Sequence, residues 1–398
     1  MAGRRRASRA GLSLVLLLAV LVGCGGSAVP DTAAAEVQRV LDRRAVALLD
    51  RDEQAYRSTE QPGAPVTEFG NLREVPLAAW SYRVTGFHRS GDRATADAEL
   101  SYRVDGYDTA PVTAARTLSL TRTDGNWYVA SDKPAEDASE QLWEQGAVTV
   151  LRGEHSLVMG VGQSQDRLRA YADLADRAVP AVSKAWGTDW SGHVVVLVPR
   201  SLEGMAGLLG APASGYQGIA AVTTGEAGAS AKAPADRIIV NPDAYGILGD
   251  LGKQVVLTHE TTHVATRAHT DAATPLWLSE GYADWVGYLG SGRTVTQIAP
   301  ELERAVADGH VPAALPHDAD FGFTGDGAQL AQAYEGGWLA CRLIAERWGE
   351  ARLNDFYRAV GGHDERTGAV EDALRDVLHT TPEKFTEQWR EYLRAQLG

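Results

Sequence analysis

A short stretch in the second half of the chain carries two histidines four residues apart with a glutamate between them, His259, Glu260 and His263 in HETTH. Apolar residues around it recur three and four positions apart, which predicts one helix with both histidines on its inward face. Residues at this spacing lie about 5–6 Å apart at Cβ, so two imidazoles can bind one Zn²⁺ ion. Glu260 projects roughly 100° around the helix, beside the metal, where a general base is needed.

A catalytic zinc site requires a third protein ligand. Glu280 follows His263 by seventeen residues, on a second predicted helix that begins near Pro275. The intervening loop is long enough to reverse the chain and make the two helices antiparallel. Asp284, one helical turn after Glu280, is expected to accept the other ring N–H of His259. The alternative interpretation is an ordinary amphipathic helix whose histidines are hydrogen-bonded without a metal.

HETTH followed by WLSEGYAD resembles the gluzincin clan of zinc metallopeptidases, within a similar layout over residues 147–398. The resemblance implies that His259, His263 and Glu280 bind one Zn²⁺ per chain. It also implies peptide-bond hydrolysis by a water that the zinc activates and that Glu260 deprotonates. A continuation typical of metzincins is absent, because the histidine spacing after HETTH does not fit.

In such enzymes a short strand before the active helix pairs with the peptide substrate. The segment GIAAV matches that strand, which is therefore predicted over Gly218, Ile219, Ala220, Ala221 and Val222. The aminopeptidase branch carries a glycine-led acidic motif there to hold the free amine. GIAAVTTGE lacks this motif, which favours an endopeptidase.

Tyr334, in AQAYEGGWLA, is the candidate donor to the oxyanion that forms during peptide hydrolysis. It is predicted near the start of a helix, beside two glycines that permit close approach, and similar enzymes place a tyrosine in a comparable region. The alternative is an aromatic residue of the core or of the helix surface.

The first 23 residues differ in kind from the rest. Four arginines precede an apolar run from Leu12 to Val22 that is too short to favour a spanning helix and is typical of a secretory signal peptide. The segment ends in Leu-Val-Gly followed by Cys24, which resembles the lipobox of bacterial lipoproteins. The resemblance implies a lipidated Cys24 and a protein anchored to the outer face of the bacterial cell membrane. The alternative is a soluble secreted protein in which Cys24 is incidental.

The net charge argues against a nucleic-acid partner. The chain carries a formal charge of −14, and loss of the four arginines of the signal segment would make it −18. Such a surface repels phosphate backbones. The partners expected are a peptide or protein substrate and the membrane, through the N-terminal lipid.

The remaining sequence predicts an α+β protein with two domains. Residues 24–32 form a tether, and residues 33–135 read as one helix, from Ala33 to about Tyr56, followed by four alternating strand segments. This order resembles small NTF2-like domains, with a spacer role favoured over a ligand pocket. Residues 141–398 are predicted to form a zincin-like domain with a short β-sheet and a mostly helical C-terminal half.

Two other functions fit the same sequence. One is a cell-surface scaffold or binding lipoprotein that holds zinc without catalysis. The intact Glu260 argues against it, because metal binding alone does not need this residue. The other is a zinc hydrolase that acts on esters or on other amides.

Overall fold

The computed structural model describes residues 32–224, 236–322 and 327–398. The predicted signal peptide, Cys24 and all but the last residue of the predicted tether lie outside the described residues. Among the helices of the described ranges, none has the length and apolar character needed to cross a bilayer.

The N-terminal unit consists of helices packed against one antiparallel sheet, with strand order β1-β2-β3-β4. Burial alternates along the strands, as expected when one face of a sheet is covered. The elements are α1 (Thr32–Leu49), α2 (Glu53–Arg57), α3 (Thr67–Asn71), β1 (Leu77–Ser90), β2 (Arg93–Val104), β3 (Val112–Thr123) and β4 (Asn126–Pro134).

The first helix ends earlier than the sequence predicted. The apolar spacing indicated one helix to about Tyr56, but α1 ends at Leu49 and α2 is a separate short helix. Arg51 adopts a left-handed φ of 58°, and the side chain of Asp52 caps α2 by accepting from the Ala55 N–H at 2.9 Å. A capping residue in the middle of an apolar repeat therefore interrupts the helix.

Buried ion pairs occupy the space between α1 and the sheet. Arg44 is 2% exposed and pairs with Glu60 at 2.6 Å and Glu68 at 2.8 Å. Arg116, equally buried, pairs with Asp132 and Glu144 at 2.7 Å each. Burial of these charges is tolerable because each guanidinium has two carboxylate partners. The interior of the N-terminal unit thus contains charged side chains that neutralise one another.

The C-terminal unit contains a mixed five-stranded sheet of order β5-β6-β7-β9-β8, in which β8 lies at the edge. Strands β6, β7 and β9 run parallel, and β5 and β8 are antiparallel to their neighbours. The strands and the helices between them are β5 (Val148–Arg152), β6 (Ser156–Val161), α4 (Gln165–Trp186), β7 (Val194–Val198), α5 (Leu202–Leu209), β8 (Ala221–Thr223), β9 (Ile238–Val240) and α6 (Pro242–Gly246).

The rest of the described chain is helical, so the α+β class and the helical C-terminal half are confirmed. The helices are α7 (Asp250–Thr266), α8 (Leu276–Tyr288), α9 (Val295–Ile298), α10 (Pro300–Ala307), α11 (Gly327–Trp348), α12 (Glu350–Gly361), α13 (Ala369–Asp376) and α14 (Pro382–Leu397).

The sheet of the C-terminal unit is covered on both faces. Val196 and Ile238 belong to a buried cluster that includes Leu257 of α7. Met159, Leu197 and Ile239 alternate with such residues and join the apolar core of the N-terminal unit instead. The N-terminal unit therefore shields the second face of the sheet from water, and the two units share one core.

Helices α8 and α11 cross at direct backbone contact. A Cβ on Gly281 would lie 2.3 Å from the carbonyl carbon and oxygen of Gly337, and one on Gly337 would lie 2.6 Å from the carbonyl oxygen of Trp277. Neither position has room for a side chain. This contact fixes α8 at the residue that follows Glu280.

We expect Gly281→Ala to lower the free energy of unfolding by about 1–3 kcal/mol, because the added methyl forces α8 and α11 apart. Gly252→Ala in α7 is the matched control, since its methyl would meet nothing closer than Leu248 Cβ at 3.4 Å. Removing a helical glycine there should be neutral or stabilise by about 0.5–1 kcal/mol. Chemical denaturation followed by circular dichroism measures both, and equal stability of the two variants would contradict the close crossing.

Candidate metal centre

Helix α7 carries the HETTH segment without interruption by proline. The rings of His259 and His263 face each other edge to face, with centroids 4.7 Å apart and an interplanar angle of 77°. Their Nε2 atoms are separated by 3.0 Å. The i, i+4 spacing thus brings two lone-pair-bearing nitrogens to one point.

Helix α8 runs antiparallel to α7 and brings a carboxylate to the same point. Glu280 Oε2 lies 3.2 Å from His259 Nε2 and 3.6 Å from His263 Nε2. A four-coordinate Zn²⁺ with bonds of about 2.0–2.2 Å separates its ligand atoms by roughly 3.3–3.5 Å. The separations and the N, N, O donor set therefore fit a zinc ion with one coordination position open. Within the described ranges, these residues form the one cluster of at least three His, Cys, Asp or Glu with donor atoms this close.

Asp284 lies behind the first histidine, one turn after Glu280. Its Oδ1 is 2.9 Å from His259 Nδ1. This hydrogen bond assigns the Nδ1 proton to the Asp284 side and directs the Nε2 lone pair towards a metal. The same contact orients the imidazole ring before any ion binds.

The histidines and carboxylates of the cluster shift each other's pKa values. Burial alone would lower the pKa of His259, but Asp284 and Glu280 outweigh it and hold the pKa well above its ordinary value. Burial would raise the pKa of Glu280, but His263 and His259 outweigh it and hold the pKa well below its ordinary value. The histidines and the carboxylates of the cluster therefore stabilise each other's charged forms.

Glu260 lies on the adjacent side of α7 and is 5% exposed. Its Oε2 accepts a hydrogen bond from Thr223 Oγ1 at 2.7 Å, and its backbone oxygen is 3.1 Å from the same hydroxyl. Thr223 is the last residue of β8. Thr223 could not be predicted from the sequence. It lies 37 positions from Glu260, and only the fold brings the end of the strand and the helix together.

The predicted substrate strand is wrong in its bounds. It was expected over Gly218 to Val222, whereas β8 covers Ala221–Thr223. Gly218 and Ile219 precede the strand in a turn, in which Ile219 N–H donates to the Tyr216 carbonyl at 3.1 Å. Ala220 lies between this turn and β8. Because Gly218 and Ile219 belong to this turn, the extended backbone starts only after them.

Strand β8 is nevertheless the edge strand beside α7. Thr224 N–H donates to Arg237 O at 2.8 Å, and Asn241 N–H donates to Ala220 O at 2.9 Å. In an antiparallel ladder, alternate residues bond to the neighbouring strand. The backbone N–H and C=O groups of Ala221 and Thr223 are therefore directed away from β9, to the side where the described sheet ends.

Arg267 fixes the far end of β8 to α7. Its Nη2 donates to the carbonyl oxygen of Thr224 at 2.6 Å, and its Nε pairs with Asp236 Oδ1 at 2.8 Å. Burial raises the pKa of Asp236, and Arg267 opposes that shift. Arg267 lies one turn after His263. Its two contacts thus fix the end of the edge strand relative to the histidines.

Tyr334 lies on α11 and is partly buried. Its ring packs against Phe321, with centroids 5.1 Å apart and an angle of 69°. This packing belongs to the C-terminal core, which agrees with the alternative of a core aromatic. A role in oxyanion stabilisation stays a prediction.

No protein-family model and no curated protein matches the chain. Solved structures that it is similar to include native yeast LTA4 hydrolase, with 15% identity and a TM-score of 0.39 over 70% of this chain. They also include a two-domain M1 zinc metallopeptidase mutant bound to L-arginine (12%, 0.36, 81% of this chain). A third is an M1 zinc metallopeptidase from Deinococcus radiodurans (12%, 0.35, 77% of this chain).

The chain spans only part of each of these proteins, namely 43% of the yeast enzyme and 63% and 61% of the two M1 enzymes. Similarity at these TM-scores and identities does not establish a function for this chain.

Asp284→Asn should weaken zinc binding about 10–100-fold, because the amide no longer orients and polarises His259 as a carboxylate does. His263→Ala should bind no stoichiometric zinc. Asp250→Asn is the matched control, since Asp250 is exposed at the start of the same helix α7. Competition against a chromogenic chelator measures the three affinities. Equal zinc affinity of Asp284→Asn and Asp250→Asn would contradict the proposed contact.

Proposed function

We propose that the chain is a zinc metallopeptidase in which His259 Nε2, His263 Nε2 and Glu280 Oε2 hold one zinc ion. The observation that carries this proposal is the convergence of these three donor atoms to 3.0–3.6 Å, backed by Asp284 at 2.9 Å. Structural histidines do not need a shared carboxylate at this distance together with a second one behind the ring. A bound cation accounts for both.

A zinc ion held by these residues would lower the pKa of a water molecule and polarise a carbonyl group. Glu260 is the base: its carboxylate takes the proton from the attacking water and later gives it to the departing amine. Thr223 occupies Oε2 of this carboxylate, and Oε1 is the oxygen that transfers the proton.

The edge of the sheet supplies the substrate-binding surface. A peptide in extended conformation is expected to align along β8, the edge strand beside α7. The three residues of β8 include no acidic side chain to hold a free α-amine. This favours cleavage within a peptide chain over removal of its first residue.

The N-terminal part of the chain is proposed to anchor the enzyme and to separate it from the membrane. Lipidation of Cys24 would anchor the enzyme to the outer face of the bacterial cell membrane. We assign the N-terminal unit to the NTF2-like class. Its interior holds the buried ion pairs of Arg44 and Arg116, which favours a structural and spacing role over a ligand pocket.

One observation favours a second candidate function, a zinc-binding scaffold without turnover. The proposed ligands are largely buried, with His263 and Glu280 each 7% exposed. Burial of the ligands suits stable metal binding and does not by itself require turnover. Measured hydrolysis decides between the two.

Glu260→Gln should retain one zinc per chain and lose hydrolysis on the order of 10²–10⁴-fold, because the amide cannot accept the proton. Glu154→Gln, at an exposed turn, is the control and should match the wild type. Casein cleavage and zinc content are measured on the same samples of the full chain. Undiminished cleavage by Glu260→Gln would refute its role as base, and zinc without any cleavage by the wild type would favour the scaffold.

A further inference from the structure

Thr223 joins the edge strand to the catalytic helix through its side chain. The residue is fully buried, and its Oγ1 lies 2.7 Å from Glu260 Oε2 and 3.1 Å from the Glu260 backbone oxygen. A hydroxyl has a single proton to donate. The shorter contact is to the ionisable oxygen, which is also the stronger acceptor.

A glutamate side chain has several rotatable bonds, and a base is effective only in a narrow range of positions. Glu260 is not among the three residues whose donor atoms converge. The hydroxyl of Thr223 is a directional partner supplied by a different element of the fold. It restricts the carboxylate without neutralising it.

Thr223 is also the last residue of β8, the edge strand beside which we place the peptide. Its side chain is directed towards α7. The contact with Glu260 therefore couples the position of the base to the end of the edge strand.

We propose that Thr223 is a positioning residue that holds Glu260 Oε2, leaves Oε1 for proton transfer, and links the base to the end of the edge strand β8. The inference rests on the proposed peptidase function. It differs from a purely structural role, in which the hydroxyl merely satisfies a buried carboxylate. A structural role would affect stability but not turnover by the folded, zinc-loaded protein.

The test compares Thr223→Ala with Thr223→Ser, two variants that differ only by the hydroxyl oxygen, and adds the near-isosteric Thr223→Val. The control is Thr262→Val, because Thr262 is equally buried but donates to the carbonyl of Thr258 in its own helix at 2.8 Å. Zinc content, kcat and KM for casein cleavage are measured on the full chain.

We expect Thr223→Val and Thr223→Ala to keep one zinc and to lose kcat about 10–100-fold with KM nearly unchanged, because the base is misplaced. Thr223→Ser should restore most of the rate, and Thr262→Val should resemble the wild type. Should Thr223→Val fail to fold, the Ala and Ser pair still decides. Equal kcat in Ala and Ser variants, or a change confined to KM, would overturn the proposal.

Crystal structures of the zinc-loaded variants give a readout that does not depend on activity. The Glu260 carboxylate should keep one position in Thr223→Ser and change position or become disordered in Thr223→Ala. An unmoved carboxylate in Thr223→Ala would overturn the inference. A wild type that binds zinc but cleaves nothing would refute the peptidase function alone, and the crystal structures would still test the contact.

Discussion

The antiparallel packing of α7 on α8 is the constraint on which the rest of the site depends. It places one carboxylate between two imidazoles and a second carboxylate behind one of them, at distances of 2.9–3.6 Å. Four ionisable side chains this close and this buried are costly unless their charges are matched. The backbone contact between Gly281 and Gly337 holds α8 against α11.

The sheet edge contributes what the helices cannot. Helix α7 positions its own histidines by its 3.6-residue period, whereas the partner of the Glu260 carboxylate comes from another element. Thr223 at the end of β8 is that partner. The carbonyl of the next residue, Thr224, accepts a hydrogen bond from Arg267, which directly follows α7. The N-terminal unit covers the other face of this sheet, so it supports the edge strand indirectly through Leu197 and Ile239.

Elements with a strong local pattern could be predicted from the sequence. The four strands of the N-terminal sheet follow from the alternation of apolar and polar residues, and the turn between β3 and β4 lies at Asp124 and Gly125, both with positive φ. The proximity of His259, His263 and Glu280 followed from spacing and from a loop that reverses the chain. These features are local or nearly so.

The features that could not be predicted depend on tertiary contacts or on competing local signals. Asp52 ended α1 early because its capping bond outweighed the apolar repeat. The turn at Ile219 displaced the start of β8, although β8 remained at the edge. Nothing in the sequence around Thr223 marks its contact with Glu260, because the two residues meet only after the sheet has formed.

The most direct test is the anomalous diffraction of crystals of the full chain grown with zinc, recorded at the zinc absorption edge. The proposed centre predicts one strong peak within bonding distance of His259 Nε2, His263 Nε2 and Glu280 Oε2. A zinc peak elsewhere would contradict it. So would the absence of any zinc peak in crystals in which the two Nε2 atoms remain 3.0 Å apart. In that case the helix carries hydrogen-bonded histidines and no metal chemistry.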